Sequence, residues 1–273
     1  SQNRAVRLAS AEILVFSDAT TMHKPDALRK LVRNFADPEV GCVAGQLVYE
    51  DRNSSAVGKG CRSYWGYEKF LKQCESRVNS LIGVSGCLYA VRRTCHARLA
   101  NDMIDDFVIA TEIHLQGCAR FTNRKPLPPK TPTIAPGDEF RMRVRVIKQT
   151  MSALNRYREV LDPVRHGMFA FQLIAHKLLR YAVFVLLIAA FLANAYAWDS
   201  ADWFRWTFFG QLALYSVAVI GWVAERLKIK FGLLAIPYYF VLVNVASCIA
   251  FLKAVYGEAY VVWEPIRPNA GDK

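Results

Sequence analysis

Three runs of apolar residues, 178–198, 206–224 and 232–252, dominate the C-terminal part of the chain. Each is close to the roughly 20 residues that cross a bilayer as a helix. A buried helix of a soluble domain rarely goes so far without charge. Three in succession predict an α-helical transmembrane domain over 178–257, with 258–273 as a tail. Just upstream, 161–177 mixes Phe169, Phe171, Leu173 and Ile174 with Arg165, His166, His176 and Lys177. That composition suits a helix lying in the membrane interface. Asp199 and Asp202 fit an outer loop, and the basic segment 225–230 fits the inner side. The third run would then leave the tail outside, unless Pro237 and Asn244 mark a broken or re-entrant segment.

Up to about Pro163 the sequence is mixed and charged. The chain carries a formal net charge of +12. Lys24, Arg29, Lys30, Arg33, Arg92, Arg93, Arg98, Arg141, Arg143 and Arg145 all precede the first run. Such a balance places this part on the cytoplasmic side of a plasma (inner) membrane that is crossed several times. It suits anionic headgroups or a diphosphate as partner. No recognition fold or aromatic-basic module points to nucleic acid. The seven cysteines form no CxxC pair and their number is odd, so they read as reduced core thiols.

The soluble part reads as α/β. Ile13-Leu14-Val15-Phe16 is a short apolar run that ends at Ser17-Asp18-Ala19-Thr20, which predicts a strand buried on both faces in a mainly parallel sheet. Residues 24–35 predict a helix burying Leu28, Leu31, Val32 and Phe35. A strand follows around Val43, Leu47 and Val48, then a helix over 63–78. The small-residue loop Gly83-Val84-Ser85-Gly86 leads into a strand over 87–91. Asp105-Asp106 precede a helix over 107–116 that Gly117 ends. Residues 124–136 hold five prolines and predict a loop without regular structure. Residues 139–157 form a basic helix.

Ligands of parallel sheets bind beyond the carboxyl ends of the strands. Asp18 stands there, where a carboxylate can hold a divalent metal and, through it, a diphosphate. It can equally cap the following helix. Asp105 and Asp106 can be helix N-caps, or a carboxylate pair in which one residue serves as general base. The Gly83–Gly86 loop is either an ordinary turn or a place where backbone approaches a ligand closely. Trp65 is either a core residue or a platform for a sugar ring. Arg141-Met142-Arg143-Val144-Arg145 is a basic helical face just before the apolar runs.

The order of these elements resembles the membrane-bound family 2 glycosyltransferases, the superfamily of cellulose, chitin and hyaluronan synthases. The resemblance extends to Tyr64-Trp65-Gly66-Tyr67-Glu68, to the His-Lys-Leu-Leu-Arg sequence ending at Arg180, to Pro237-Tyr238-Tyr239 and to Trp263-Glu264-Pro265. It implies a partial GT-A (Rossmann-like) domain over 1–160 and inverting transfer from a nucleotide-sugar donor to a glycan or lipid-linked acceptor in cell-envelope synthesis. Asp18 then matches the first carboxylate of the D-x-D metal motif and would hold Mg2+ or Mn2+. Thr20 replaces the second carboxylate with a weaker neutral ligand. Asp106 matches the general base, with Asp105 beside it. Gly83, Ser85, Gly86, Trp65, Arg143 and Arg145 would contact substrates. In the processive synthases' Q-x-x-R-W motif only the arginine is kept here, as Arg145, which favours the addition of one or a few sugars. Only about a dozen residues precede Ile13, so the donor-binding βαβ region is expected to lie outside this sequence. The competing expectation is a truncated, inactive membrane protein that binds lipid or a partner subunit.

Overall fold

In the computed structural model of the chain, the described residues are 2–18, 21, 23–45, 48–49, 56–78, 82–100, 103–117, 121–122, 130–131, 136–227, 229 and 235–257. The first part is a mixed α/β domain, mostly helical. It comprises α1 (Gln2–Leu8), β1 (Ile13–Ser17), α2 (Ala27–Val32), β2 (Cys42–Ala44), β3 (Val48–Tyr49), α3 (Ala56–Val78), β4 (Leu88–Arg92), α4 (Asp105–Leu115), β5 (Phe121–Thr122), β6 (Lys130–Thr131) and α5 (Pro136–Arg156). The second part holds α6 (Pro163–Leu173), α7 (Arg180–Tyr196), α8 (Asp202–Arg226) and α9 (Ala235–Val255).

The sheet order is β1-β4-β2-β5. β4 runs antiparallel to both β1 and β2, while β2 and β5 are parallel. The expectation of a mainly parallel sheet is therefore corrected to a mixed one. β1 lies at the edge, with β4 its one partner among the described residues, and Val15 is 40% exposed. An apolar tetrapeptide without alternation does not distinguish an edge strand from a central one. The strand buried on both faces is β4, in which Leu88, Tyr89, Ala90 and Val91 are all buried.

Side chains alternate across the sheet. Leu14, Cys42, Ala44, Tyr89 and Val91 face α4 through Ile109, Ala110 and Ile113. Val43, Leu88 and Ala90 face α2 through Ala27, Leu31 and Phe35. Leu31 is fully buried, a gain of about 1.5–3 kcal/mol over exposure. The helix begins later than expected, at Ala27, and a 3-10 turn (Arg33–Ala36) follows it. It is rotated so that Ala27 enters the core, while Leu28 and Val32 stay exposed. Arg92 ties this end to the sheet, donating to the carbonyls of Phe35, Asp37 and Val40 and pairing with Glu12 at 2.6 Å.

The other side of α4 packs Phe107 and Val108 against Ala153 and Leu154 of α5 and Phe169 and Leu173 of α6. In α5, Val144 and Ile147 pack on Ala246 and Ala250 of α9. Two expectations change here. Lys130–Thr131 in the proline-rich segment pair as a short parallel strand with Val48–Tyr49. A two-residue bridge needs no sequence pattern of its own, and the prolines flank it. The helix expected over 161–177 does not end near 177 either. A π-helical segment (Ile174–Leu179) joins α6 to α7 without a break.

Among the described residues, three helices are long and apolar enough to cross a membrane: Pro163–Tyr196, Asp202–Arg226 and Ala235–Val255. Their outward faces expose Leu186, Leu192, Ile220, Val245 and many similar side chains. Among the described residues, Cys42, Cys74, Cys87, Cys95 and Cys248 are not joined in disulfides.

Candidate active site

The proposed residues gather where β1, the loop before β4 and the N-terminus of α4 meet. Asp18 follows the last residue of β1 and is exposed. It caps no helix: α2 starts at Ala27 with Asp26 at its N-cap position. Asp105 and Asp106 are not N-caps either. They occupy the first turn of α4, behind Ile104. Their negative charge there is favoured by the helix dipole.

Asp105 is held from two sides. Its Oδ2 accepts from Gln2 Nε2 at 2.8 Å and from the Tyr89 hydroxyl at 3.2 Å. Tyr89 in turn stacks on Phe16 of β1, with ring centroids 4.8 Å apart. Strand and helix are thereby fixed around one carboxylate. Burial and Asp105 together keep the Tyr89 hydroxyl protonated far above its ordinary range.

Asp106 is half-buried. Desolvation pushes its carboxyl up to about 6, opposed by the charges of Lys177 and Lys72 and reinforced by Asp105. A carboxylate titrating there is ionised at neutral pH and still basic enough to accept a proton. The expected substrate loop lies directly against it. Val84 N–H donates to the Asp106 carbonyl at 2.9 Å. A Cβ on Gly83 would lie 3.7 Å from that same carbonyl oxygen. Ser85 is buried, with its Oγ 3.0 Å from Cys87 Sγ, and Gly86 sits in the turn that follows.

The two arginines part company. Arg145 faces Asp18, and each charge favours the other. Its Nε is buried and makes no hydrogen bond among the described residues. The Asp18 carboxyl is pushed up by partial desolvation and by Asp105, against the pull of Arg145. Arg143 turns the other way. It pairs with buried Glu139 at 2.8 Å, donates to the Tyr239 hydroxyl at 2.8 Å and lies over the Tyr64 ring at 4.6 Å. Tyr239 also donates to Glu139 at 2.7 Å. The structure therefore brings together Asp18, Asp105, Asp106, Gly83, Ser85, Gly86 and Arg145, and leaves Arg143 in a network between helices. Thr20, the Trp65 side chain and the Trp263-Glu264-Pro265 tail lie outside the described residues.

Among the described residues, no group of three or more His, Cys, Asp or Glu side chains could hold a metal. A single carboxylate can still hold Mg2+ when phosphate oxygens and water complete the shell. Asp18 fits that arrangement: it is exposed, lies near a second carboxylate, Asp105, and stands opposite an arginine whose Nε makes no hydrogen bond among the described residues.

Residues 1–96 match the family model for Glycosyl transferase family 2. Over this segment the chain is similar to glycosyltransferase family 2. The match ends at the 3-10 turn (Arg93–Cys95) after β4, so it includes Asp18 and the Gly83–Gly86 loop but stops short of Asp106. Among solved structures, the chain is similar to the mannosyltransferase PcManGT from Pyrobaculum calidifontis, solved in complex with GDP-Man and Mn2+. The TM-score is 0.62 at 21% identity, covering 94% of this chain and 66% of that one. At that identity the likeness shows a common GT-A-type fold. The chain spans 66% of the length of that mannosyltransferase. No curated protein matches the chain in sequence.

Sequence reasoning missed Gln2, Lys72 and Tyr89, which carry no motif. It found Tyr64, Glu68, His176, Arg180 and Tyr239 only as parts of a family pattern. In the structure these five stand in one place. Glu68 accepts from Arg180 at 2.6 Å and lies 3.2 Å from His176 Nε2, while the other ring nitrogen of His176 bonds Glu75. Arg180 and Arg143 both lie over the Tyr64 ring.

Proposed function

We propose that the chain belongs to a membrane-anchored, inverting glycosyltransferase that moves a sugar from a nucleotide-sugar donor to a glycan or lipid-linked acceptor. The observation that carries this reading is the convergence of Asp18, Arg145 and Asp106 on one site within a GT-A-type fold. The family match over residues 1–96 supports the same chemistry.

Asp106 accepts the proton of the acceptor hydroxyl as that oxygen attacks the anomeric carbon. The bond from that carbon to the diphosphate oxygen breaks on the opposite face. Asp105, held by Gln2 and Tyr89, keeps the first turn of α4 in place and makes a proton on Asp106 easier to accept. Arg145 offers an unsatisfied buried donor to the charge that develops on the leaving diphosphate. Asp18 would hold Mg2+ or Mn2+, which supplies further neutralisation of the diphosphate when bound. The solved PcManGT complex with GDP-Man and Mn2+ makes a guanosine diphosphate sugar the first donor to try. The three long apolar helices would cross a plasma membrane, with the basic site on the cytoplasmic side. The acceptor would reach the site from the membrane surface, as cell-envelope glycan synthesis requires.

The test is release of nucleoside diphosphate by the chain in its native membranes, with Mn2+, Mg2+ or chelator. Metal-dependent release that Asp18→Ala and Asp106→Asn both abolish supports the reading. Release that survives Asp106→Asn sinks it.

A further inference from the structure

The proposed base is joined to a second helix through one residue, Val84. Its N–H donates to the Asp106 carbonyl at 2.9 Å. Its own carbonyl accepts from the Lys72 ammonium at 3.2 Å. Lys72 sits on α3 between Glu68 and Glu75, four and three residues away, so all three share one face of the helix.

That face is clamped. Buried His176 bridges Glu68 and Glu75, and Arg180 takes a second grip on Glu68. Each ring nitrogen of His176 thus lies against a carboxylate, and the two carboxylates stand seven residues, about two helical turns, apart on α3. These bonds fix α3 along its axis and in rotation. The His176 bonds come from the π-helical segment Ile174–Leu179, a rare form that recurs at functional sites, and Arg180 directly follows it. The extra residue of a π turn re-aims the side chains that follow, and the next one, Lys177, is among the charges that act on Asp106.

We propose that Lys72 is a positioning residue for Asp106: held by the Glu68–His176–Glu75 clamp, it fixes the loop on which Asp106 rests and sets a positive charge beside it. This deepens the reading of Asp106 as general base and rests on it. The groups that face Asp106 are Lys72 from α3, Lys177 from the π segment, Asp105 from its own helix and the Phe107 N–H. Removing Lys72 leaves Asp105 opposed by one ammonium fewer, so the Asp106 carboxyl would hold its proton to higher pH.

The experiment is the pH profile of kcat/KM for nucleoside diphosphate release from a panel of UDP- and GDP-sugars, using the full chain in membranes. Lys72→Met is expected to move the acid limb up by about one pH unit. Lys72→Gln keeps a donor for the Val84 carbonyl and removes the charge, so it should move the limb similarly with a smaller loss of rate. Lys72→Arg should restore the limb. Asp106→Asn is run alongside. If it abolishes release and the limb ignores Lys72→Met and Lys72→Gln, the positioning role is overturned and the base reading stands. If Asp106→Asn keeps release, the base reading falls and takes this proposal with it. Carbodiimide labelling of Asp106 against pH, read by peptide mass spectrometry, reports the same midpoint without turnover. An unchanged midpoint in both lysine variants overturns the proposal even in a chain that releases nothing.

Discussion

The backbone N–H of Val84 donates to the carbonyl of Asp106 at 2.9 Å, and this one bond joins the small-residue loop to the first turn of α4. The two segments are more than 20 positions apart in the sequence. Their meeting is what turns separate, weak sequence signals into one candidate site.

The loop glycines can be sorted by what surrounds them. A Cβ on Gly83 meets nothing closer than the Asp106 carbonyl at 3.7 Å, an ordinary contact. A Cβ on Gly45 would lie 2.7 Å from the Leu88 carbonyl oxygen and 2.9 Å from its Cβ. Gly83→Ala is therefore expected to leave the thermal midpoint nearly unchanged. Gly45→Ala should cost about 1–3 kcal/mol, because β2 and β4 must separate to admit it. Thermal unfolding of both variants in one detergent checks the contrast.

Asp106 gives a pH signature in stability. Its folded value of about 6 lies above the ordinary 3.8, so the folded state binds this proton more tightly than the unfolded state. Ionisation then costs stability as pH rises from 3.8 through 6, and none is lost below that window. Asp106→Asn should raise the midpoint by about 2–4 °C at pH 8. The gain should shrink through pH 6 and vanish near pH 4. A gain that is equal at every pH would count against the desolvated carboxylate.

Arg143 and Arg145, two residues apart, should fail differently. Arg143→Ala strips buried Glu139 of its ion pair and should destabilise the chain by about 3–5 kcal/mol. Arg145→Ala leaves no buried carboxylate behind. It should fold normally and, on the proposed mechanism, lose about 10²–10³-fold in kcat. A folded, active Arg143→Ala protein, or a misfolded Arg145→Ala protein, would reverse the assignment.

Acid should loosen the clamp on α3. Desolvation favours a protonated Glu68, but the bond to His176 and the charge of Arg180 outweigh it and hold the carboxyl far below its ordinary 4.5. The stability it contributes is full above that ordinary value and declines as pH falls below it. Glu68→Gln should therefore narrow the difference in midpoint between pH 7 and pH 4. Protection of α3 amides in hydrogen exchange at the two pH values reads this directly.

Several features were legible in the residues alone. The three apolar runs announce three long apolar helices, because length and lack of charge are local properties. A helix beside the Asp105-Asp106 pair that stops before Gly117, where φ is +62°, follows from dipole and glycine chemistry, although α4 takes in both aspartates instead of starting after them. The direction of the strands did not: Ile13–Ser17 reads the same at an edge or at a centre, parallel or antiparallel. The amphipathic pattern of α2 also left the rotation about its axis open by one residue.

By itself, then, the sequence determined the kinds of element, the apolar C-terminal helices and which carboxylates are candidates for chemistry, since each rests on residues close together in the chain. Only the tertiary structure decided that β4 lies between β1 and β2, that Arg145 faces Asp18 while Arg143 is spent on Glu139 and Tyr239, and that Lys72 reaches the loop beside Asp106. Apart from Arg143 and Glu139, which are neighbours on one helix, those are relations between residues 12 to more than 120 positions apart. They are settled by which faces pack, and by the need of every buried charge for a partner.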